Sequence, residues 1–485
     1  MNETRADTSR PTSALRETVL MAVSSGASFL LGLARTKILA VVWGPVGMGA
    51  IGMMQAVLST ASVVGGAGVD GVMTRELAQT HQSDRVKSAA LLSAATKGSV
   101  ILGALSGALT FMVAVAFGRD LGIGAWPVAG LLGVGVLASI ISSNLRASLS
   151  ATGLVQVVAS LGPLAGILSL GGALVVVMAG NQEALWCAAV ISVPISQLAV
   201  ALYGFRRVPS WSPLSWARAV IEILSLVRLG ALLAVAGILP PLAQLVMRSL
   251  VKEHLDPVSF GCFQASMALA ATSVSVLASS VGPSVLPRLS AAAGDPRAMS
   301  GVINDQTLIY LTLFAPVSLC LVAAPELIVR LMFSTEFSPV TGQLSWQMIG
   351  ETVRLPCWVL ATALTARKQT RSYLFVEASS LAVLVIGVAV SARSGSLEVI
   401  GVALSVTTLI QFFTLVVLMH ADGIRLSGTV YLRLVILVAA MASIAAWARE
   451  IPAVRVAGLL AAASAGVIAA RAMLRLRSGR NSAST

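Results

Sequence analysis

The sequence predicts an all-α integral membrane protein of about fourteen transmembrane helices, arranged as two parallel, pseudo-symmetric six-helix lobes followed by two C-terminal helices. Three observations predict it. The first is composition: of 485 residues, 56% are hydrophobic and 11% are charged, with a mean hydropathy of +0.89. A soluble domain carries roughly 25% charged residues, so a water-soluble globule of this length would lack the polar groups to cover its surface. The second is run length. Many windows of about 20 residues are apolar with few charges, which is what a helix needs to cross ~30 Å of hydrocarbon. The alternation of membrane β-strands is absent, and helices satisfy their own backbone groups in lipid. The third is an internal repeat, described below.

The first two spans, 18–42 and 50–74, form a hairpin around the turn Gly44-Pro45-Val46. The opening run holds Arg35 and Lys37 and lacks a small-residue cleavage site, so it is expected to remain as a span and not to act as a signal peptide. Four more spans follow at 90–117, 125–145, 153–179 and 184–205. They complete an N-terminal lobe, 1–205. The segment 206–226 carries Pro209, Pro213, Trp211 and Trp216 beside Arg206, Arg207 and Arg218. Indoles at headgroup level with basic groups in water mark an interfacial linker. A C-terminal lobe, 227–420, has spans at 227–250, 259–285, 303–332, 344–365, 372–392 and 397–420. The region 421–485 adds spans at 429–447 and 452–471 and a basic tail.

The repeat links the lobes. Gly44-Pro45-Val46-Gly47-Met48-Gly49 resembles Asp256-Pro257-Val258-Ser259-Phe260-Gly261, an offset of 212 residues from Pro45 to Pro257. The same offset pairs Gly49 with Gly261, Leu77 with Leu289 and Arg85 with Arg297. About nine identities fall between 44 and 85, against about three or four expected by chance. Six spans separate the copies. An even number preserves direction, so the repeats are parallel, as in transporters built around an axis along the membrane normal.

Charge sets orientation. With the N-terminus inside, cytoplasmic segments hold about 23 of the 33 Lys and Arg, among them Arg75, Arg85, Lys87, Arg146, Arg288, Arg297 and Arg371, against about seven in outer loops. This bias places both termini in the cytoplasm. It also accounts for the net charge of +13 without any nucleic acid.

Ionisable residues within spans are the candidate functional groups, because a charge in hydrocarbon is costly. Each is weighed against snorkelling or a structural pair. Arg354 lies near the middle of the span 344–365, with Glu351 three residues before it on the same helix face and Pro356 just after. Arg35 and Lys37 are about 200° apart around a helix, so at most one faces a given cavity. Arg248 occupies the end of span seven, close to where the repeat places the Arg35–Lys37 region. Asp70, near Arg75, and Glu377 are further acidic candidates, for ion coupling. Cys187, Cys262, Cys320 and Cys357 stand alone in apolar runs, as small core residues with no disulfide or metal spacing. No Walker loop, HExxH or other enzyme signature is present, and no loop is long enough for a soluble catalytic domain. The expectation is a non-enzyme with no cofactor and no metal.

The run Leu33-Ala-Arg-Thr-Lys-Ile-Leu-Ala-Val-Val-Trp-Gly-Pro-Val-Gly-Met-Gly49 resembles the first-hairpin signature of the polysaccharide transporter family, the O-antigen flippases of the multidrug/oligosaccharidyl-lipid/polysaccharide exporter superfamily. Residues 66–78, Gly-Ala-Gly-Val-Asp-Gly-Val-Met-Thr-Arg-Glu-Leu-Ala, resemble the family's second helix and its cytoplasmic exit. The resemblance covers about 20–95 by motif and the rest by layout. It implies an inner-membrane flippase. Its cargo would be a polyprenyl-diphosphate-linked oligosaccharide, the repeat unit of O-antigen lipopolysaccharide or exopolysaccharide, moved to the periplasmic leaflet by alternating access. Lys37 then matches the motif lysine, while Arg35 has no assigned counterpart. Arg354, Arg248 and one of Arg35 or Lys37 would hold the diphosphate, and Glu351, Asp70 or Glu377 would carry a proton or sodium ion. Membrane lipids and the glycan polymerase and chain-length machinery are the implied partners. The two spans beyond twelve resemble the arrangement of the lipid II flippase. A lipid II cargo and a multidrug or cation antiporter are the nearest alternatives; a membrane glycan polymerase or ligase is the alternative of a different class.

Overall fold

The computed structural model describes residues 10–80, 85–118, 124–152, 154–180, 182–206, 216–448 and 450–482. Among these there are fifteen α-helices, one short 3-10 helix at Thr335–Phe337, and no strand. Eleven helices are long and apolar enough to cross a membrane, so the chain is a multi-pass integral membrane protein. Leu105, Met112, Val175, Ile386, Phe413 and Ile468 are exposed on these helices. Outward apolar side chains need no polar cover when the solvent is lipid.

The chain divides into two compact units, Met1–Val42 with Ala50–Leu245, and Trp43–Gly49 with Val246–Thr485. The first holds most of α1 (Arg10–Gly66), then α2 (Val69–Thr80), α3 (Arg85–Phe117), α4 (Trp126–Ala151), α5 (Val155–Ala179), α6 (Glu183–Phe205) and most of α7 (Trp216–His254). The second holds α8 (Pro257–Ala291), α9 (Pro296–Ala323), α10 (Pro325–Met332), α11 (Val340–Ala366), α12 (Thr370–Ala392), α13 (Leu397–Ala421), α14 (Gly428–Trp447) and α15 (Pro452–Ser482). The division falls inside α7, at Leu245 and Val246. Pro209, Trp211 and Pro213 of the expected linker lie outside the described residues.

The expected hairpin turn is a single broken residue. Gly44 has φ +61° and ψ −167° inside α1, a conformation that costs an L side chain dearly and glycine little. Pro45 then opens the second arm, where its missing N–H is no loss. That arm ends earlier than the expected 74. Ala67 and Gly68 both adopt positive φ, and α2 restarts at Val69. The expected ninth span, 303–332, is likewise two helices. Proline lacks an N–H and disfavours helix in the residue before it, so the break falls at Ala324, between α9 and α10.

The 212-residue offset carries α3 onto α9 and α10, α4 onto α11, α5 onto α12, and α6 onto α13. Packing repeats with it. In the first unit α4 touches α2, α3, α5 and α6; in the second α11 touches α8, α9, α12, α13 and α14. Helices α14 and α15 have no counterpart and pack on α9, with α14 also on α11. Arg455 of α15 pairs with Glu326 of α10 at 2.8 Å.

Helix α8 starts at a capped end. Asp256 Oδ1 accepts from the backbone N–H groups of Val258 and Ser259 at 3.0 and 3.1 Å. Hydrogen bonds from Ser259 hold this carboxyl below the usual carboxylate range. A lowered value means that the cap stabilises above about pH 4 and fades as pH falls through the lowered value. Asp256→Ala should remove about 1 kcal/mol, read as a small drop in thermal midpoint at neutral pH that narrows in acid.

Candidate functional site

Helix α11 builds the most polar interior of the second unit. Its residues from Val340 to Leu364 are almost all buried, including Gln343, Gln347, Glu351 and Thr352. Polar groups in such a core must find partners. Gln343 Nε2 donates to Gln347 Oε1 at 3.4 Å, and the same oxygen accepts from Ser266 Oγ of α8 at 2.9 Å. Thr352 Oγ1 donates to Met348 O and lies 3.6 Å from Met441 Sδ of α14. The extra C-terminal helices therefore wall the helix that carries the site.

Arg354 and Glu351 meet as an ion pair, Nε to Oε2 at 3.4 Å. Their surroundings differ. The Glu351 side chain is 5% exposed and that of Arg354 is 40% exposed. The pair is rooted in the core and the guanidinium reaches out of it. Glu377 of α12 acts electrostatically on Arg354, so one arginine sits in the field of two carboxylates from two helices.

The α11 hydrogen-bond ladder is interrupted on both sides of this pair. Ser405 of α13 inserts its hydroxyl, donating to Trp346 O and accepting from Gly350 N at 2.9 Å. Those two backbone groups would otherwise bond each other, four residues apart. Pro356 removes the next donor. Intramembrane helices that open their own ladder at a charged residue are a transporter device.

In the first unit Arg35 and Lys37 point apart, as their spacing requires. Arg35 is 6% exposed and its Nη2 donates to Ala189 O of α6 at 2.6 Å. Lys37 is exposed. Arg35 precedes the Gly44 break by 9 residues, ~13 Å along a helix. It lines a cavity of about 310 Å³ with Ser28, Gly32, Arg146, Ser169 and Gln197. Charge counting had assigned Arg146 to a cytoplasmic loop. The signal that finds it is helix length: α4 runs on to Ala151, so Arg146 is inside the helix and not beyond its end.

Asp70 stands in the first turn of α2 and accepts from Gly71 N at 2.9 Å. It also acts electrostatically on Arg146. The Arg75 side chain, its expected partner, lies outside the described residues. Arg248 is half-buried near the end of α7. The residues expected to share a site thus fall into separate groups: Arg354, Glu351 and Glu377 come together, Arg35 joins Arg146, and Arg248 and Lys37 stand in neither cluster. All four cysteines are free, and the described residues contain no His, Cys, Asp and Glu cluster able to hold a metal.

Comparison with known proteins fits this architecture. The lipid III flippase of Escherichia coli (strain K12) is 24% identical over 377 residues, covering 75% of this chain and 87% of the flippase. A solved structure of the lipid II flippase MurJ in an inward closed conformation superposes with TM-score 0.70 at 14% identity, over 94% of this chain and 99% of that one. An inward-facing multidrug resistance MATE family transporter of the MOP superfamily gives 0.66 at 13% identity, over 83% and 98%. The structural likenesses show the fold. The sequence profile of polysaccharide biosynthesis proteins matches residues 38–341, well over half the chain, and this protein belongs to that family.

Proposed function

We propose that this chain is a flippase that carries a polyprenyl-diphosphate-linked oligosaccharide, an O-antigen or exopolysaccharide repeat unit, from the cytoplasmic to the periplasmic leaflet of the inner membrane by alternating access. The observation that carries the reading is Arg354, a guanidinium that emerges from an otherwise buried intramembrane helix between two interruptions of its ladder. Arginine suits a diphosphate because its planar fork binds phosphate oxygens in pairs. The likeness to the lipid III flippase, a relative over most of its length, supports a lipid-linked cargo. Arg248 and the exposed Lys37 are the further basic candidates for the headgroup. Glu351 and Glu377 flank Arg354 and are the candidates to carry a coupling proton or sodium ion; Asp70 is the corresponding acid of the first unit. Cytoplasmic termini follow from the charge bias, and the glycan polymerase machinery is the partner expected downstream.

The test is deletion of the gene. The expected result is loss of one surface polysaccharide, with its lipid-linked repeat unit accumulating on the cytoplasmic leaflet. A peptidoglycan precursor accumulating in its place would assign the cargo to the lipid II class. Unchanged surface glycans and unchanged lipid-linked pools would refute the flippase reading.

A further inference from the structure

The cavity of the first unit holds a charge with no counter-charge. Arg35 is 94% buried, bonds only the backbone oxygen of Ala189, and leaves its Nε buried without a partner. Ala189 O also accepts from Ser192 Oγ at 2.6 Å, so even that acceptor is shared. Arg146 brings a second guanidinium to the same 310 Å³ space. No carboxylate lines it. Asp70 acts on Arg146 but is exposed on α2 and is not among the lining residues. An isolated buried cation is among the most costly arrangements in a protein, and is tolerated when paired or hydrogen-bonded.

The remaining lining groups sort by what they can offer. Ser28 and Ser169 turn their hydroxyl protons to backbone oxygens of their own helices, Ser24 O at 2.8 Å and Gly166 O at 3.0 Å. That leaves Arg35 Nε, the Arg146 guanidinium and the Gln197 amide as donors facing one space. Donors converging without an acceptor describe an anion site. The volume exceeds that of a single water's share, ~30 Å³, and admits a small anion with its waters.

We propose that the first unit contains a site for a small inorganic anion, of the halide or phosphate class, held between Arg35 of α1 and Arg146 of α4. The anion is a resident of the helix bundle, bound among α1, α4, α5 and α6, and is separate from the cargo. It supplies the charge that lets Arg35 stay buried, and ties α1 to α4. The inference does not depend on the identity of the cargo, and its readout is binding, not export.

The experiment uses the purified full-length protein in detergent. Thermal midpoint is followed while chloride, and separately inorganic phosphate, is titrated into a gluconate buffer. The wild type is expected to gain stability saturably with at least one of the two anions. Arg146→Gln should weaken the apparent affinity about tenfold or more, as loss of a charge-assisted contact does. Arg35→Met removes the uncompensated charge; it should abolish the response while leaving a protein stable in gluconate, and it guards against a variant that merely fails to fold. A polyprenyl diphosphate in a third arm should not displace the anion. Wild-type indifference to both anions, an unchanged response in Arg35→Met and Arg146→Gln, or displacement by the polyprenyl diphosphate would each overturn the proposal, the last by making this the cargo's own site.

Discussion

Arg354→Ala is expected to abolish glycan export while the protein still inserts. The side chain reaches out of a helix whose other residues are buried, and truncating one partner of a desolvated charged contact costs about 2–5 kcal/mol. That is about 30- to 5,000-fold in affinity for a phosphate group. The single variant has a second consequence. It strands Glu351, 5% exposed, with a buried carboxylate, and breaking a buried pair from one side costs about 3–5 kcal/mol. The double variant Arg354→Ala with Glu351→Gln removes both charges and should regain the lost stability without regaining export. Surface glycan measured beside membrane abundance separates the two effects. Export by the double variant at the wild-type level would end the assignment of Arg354 to the cargo.

Gly261→Ala is expected to be the most damaging single methyl in the second unit. A Cβ at this position would sit 1.8 Å from Pro45 O and 2.9 Å from Pro45 Cα. Flexible side chains can move aside, but this neighbour is backbone, fixed next to the Gly44 break. Overpacking a close-packed site costs about 1–3 kcal/mol and sometimes more, and the upper end is expected here. Gly171→Ala in α5 is the control, since a Cβ there meets nothing within 4 Å and alanine is the better helix former by up to about 1 kcal/mol. Thermal midpoints of the two purified variants, scanned at one rate, should move in opposite directions. Equal midpoints would mean that the approach of Gly261 to Pro45 is not maintained in the folded protein.

Much of the fold was legible because lipid makes one strong demand. Apolar runs of spanning length fall within a few residues of α3, α5, α6, α12, α13 and α14, and the repeat offset read from Pro45 and Pro257 carries four helices of the first unit onto the second. Boundaries were missed where backbone chemistry overrode hydropathy. Ala67 and Gly68 end α1 inside an apolar stretch, and Pro325 divides α9 from α10, since a hydropathy run is blind to a positive φ or a missing N–H. The site was legible only in part. Arg354 and Glu351 share a face by spacing alone. Glu377 reaches Arg354 from another helix, and sequence distance says nothing of that.

The sequence by itself determined that this chain lives in a membrane, that its helices repeat in parallel, that Arg35 and Lys37 point apart, and that Arg354 has Glu351 beside it. These follow from composition, offset and helical period, which are local or additive properties of the chain. Tertiary structure alone decided that Ser405 of α13 opens the ladder of α11, that Arg146 belongs in a cavity with Arg35 and not in a loop, and that α14 and α15 back the helix bearing the site. Those facts depend on which faces of distant helices pack together, and packing is settled by the whole set of contacts at once.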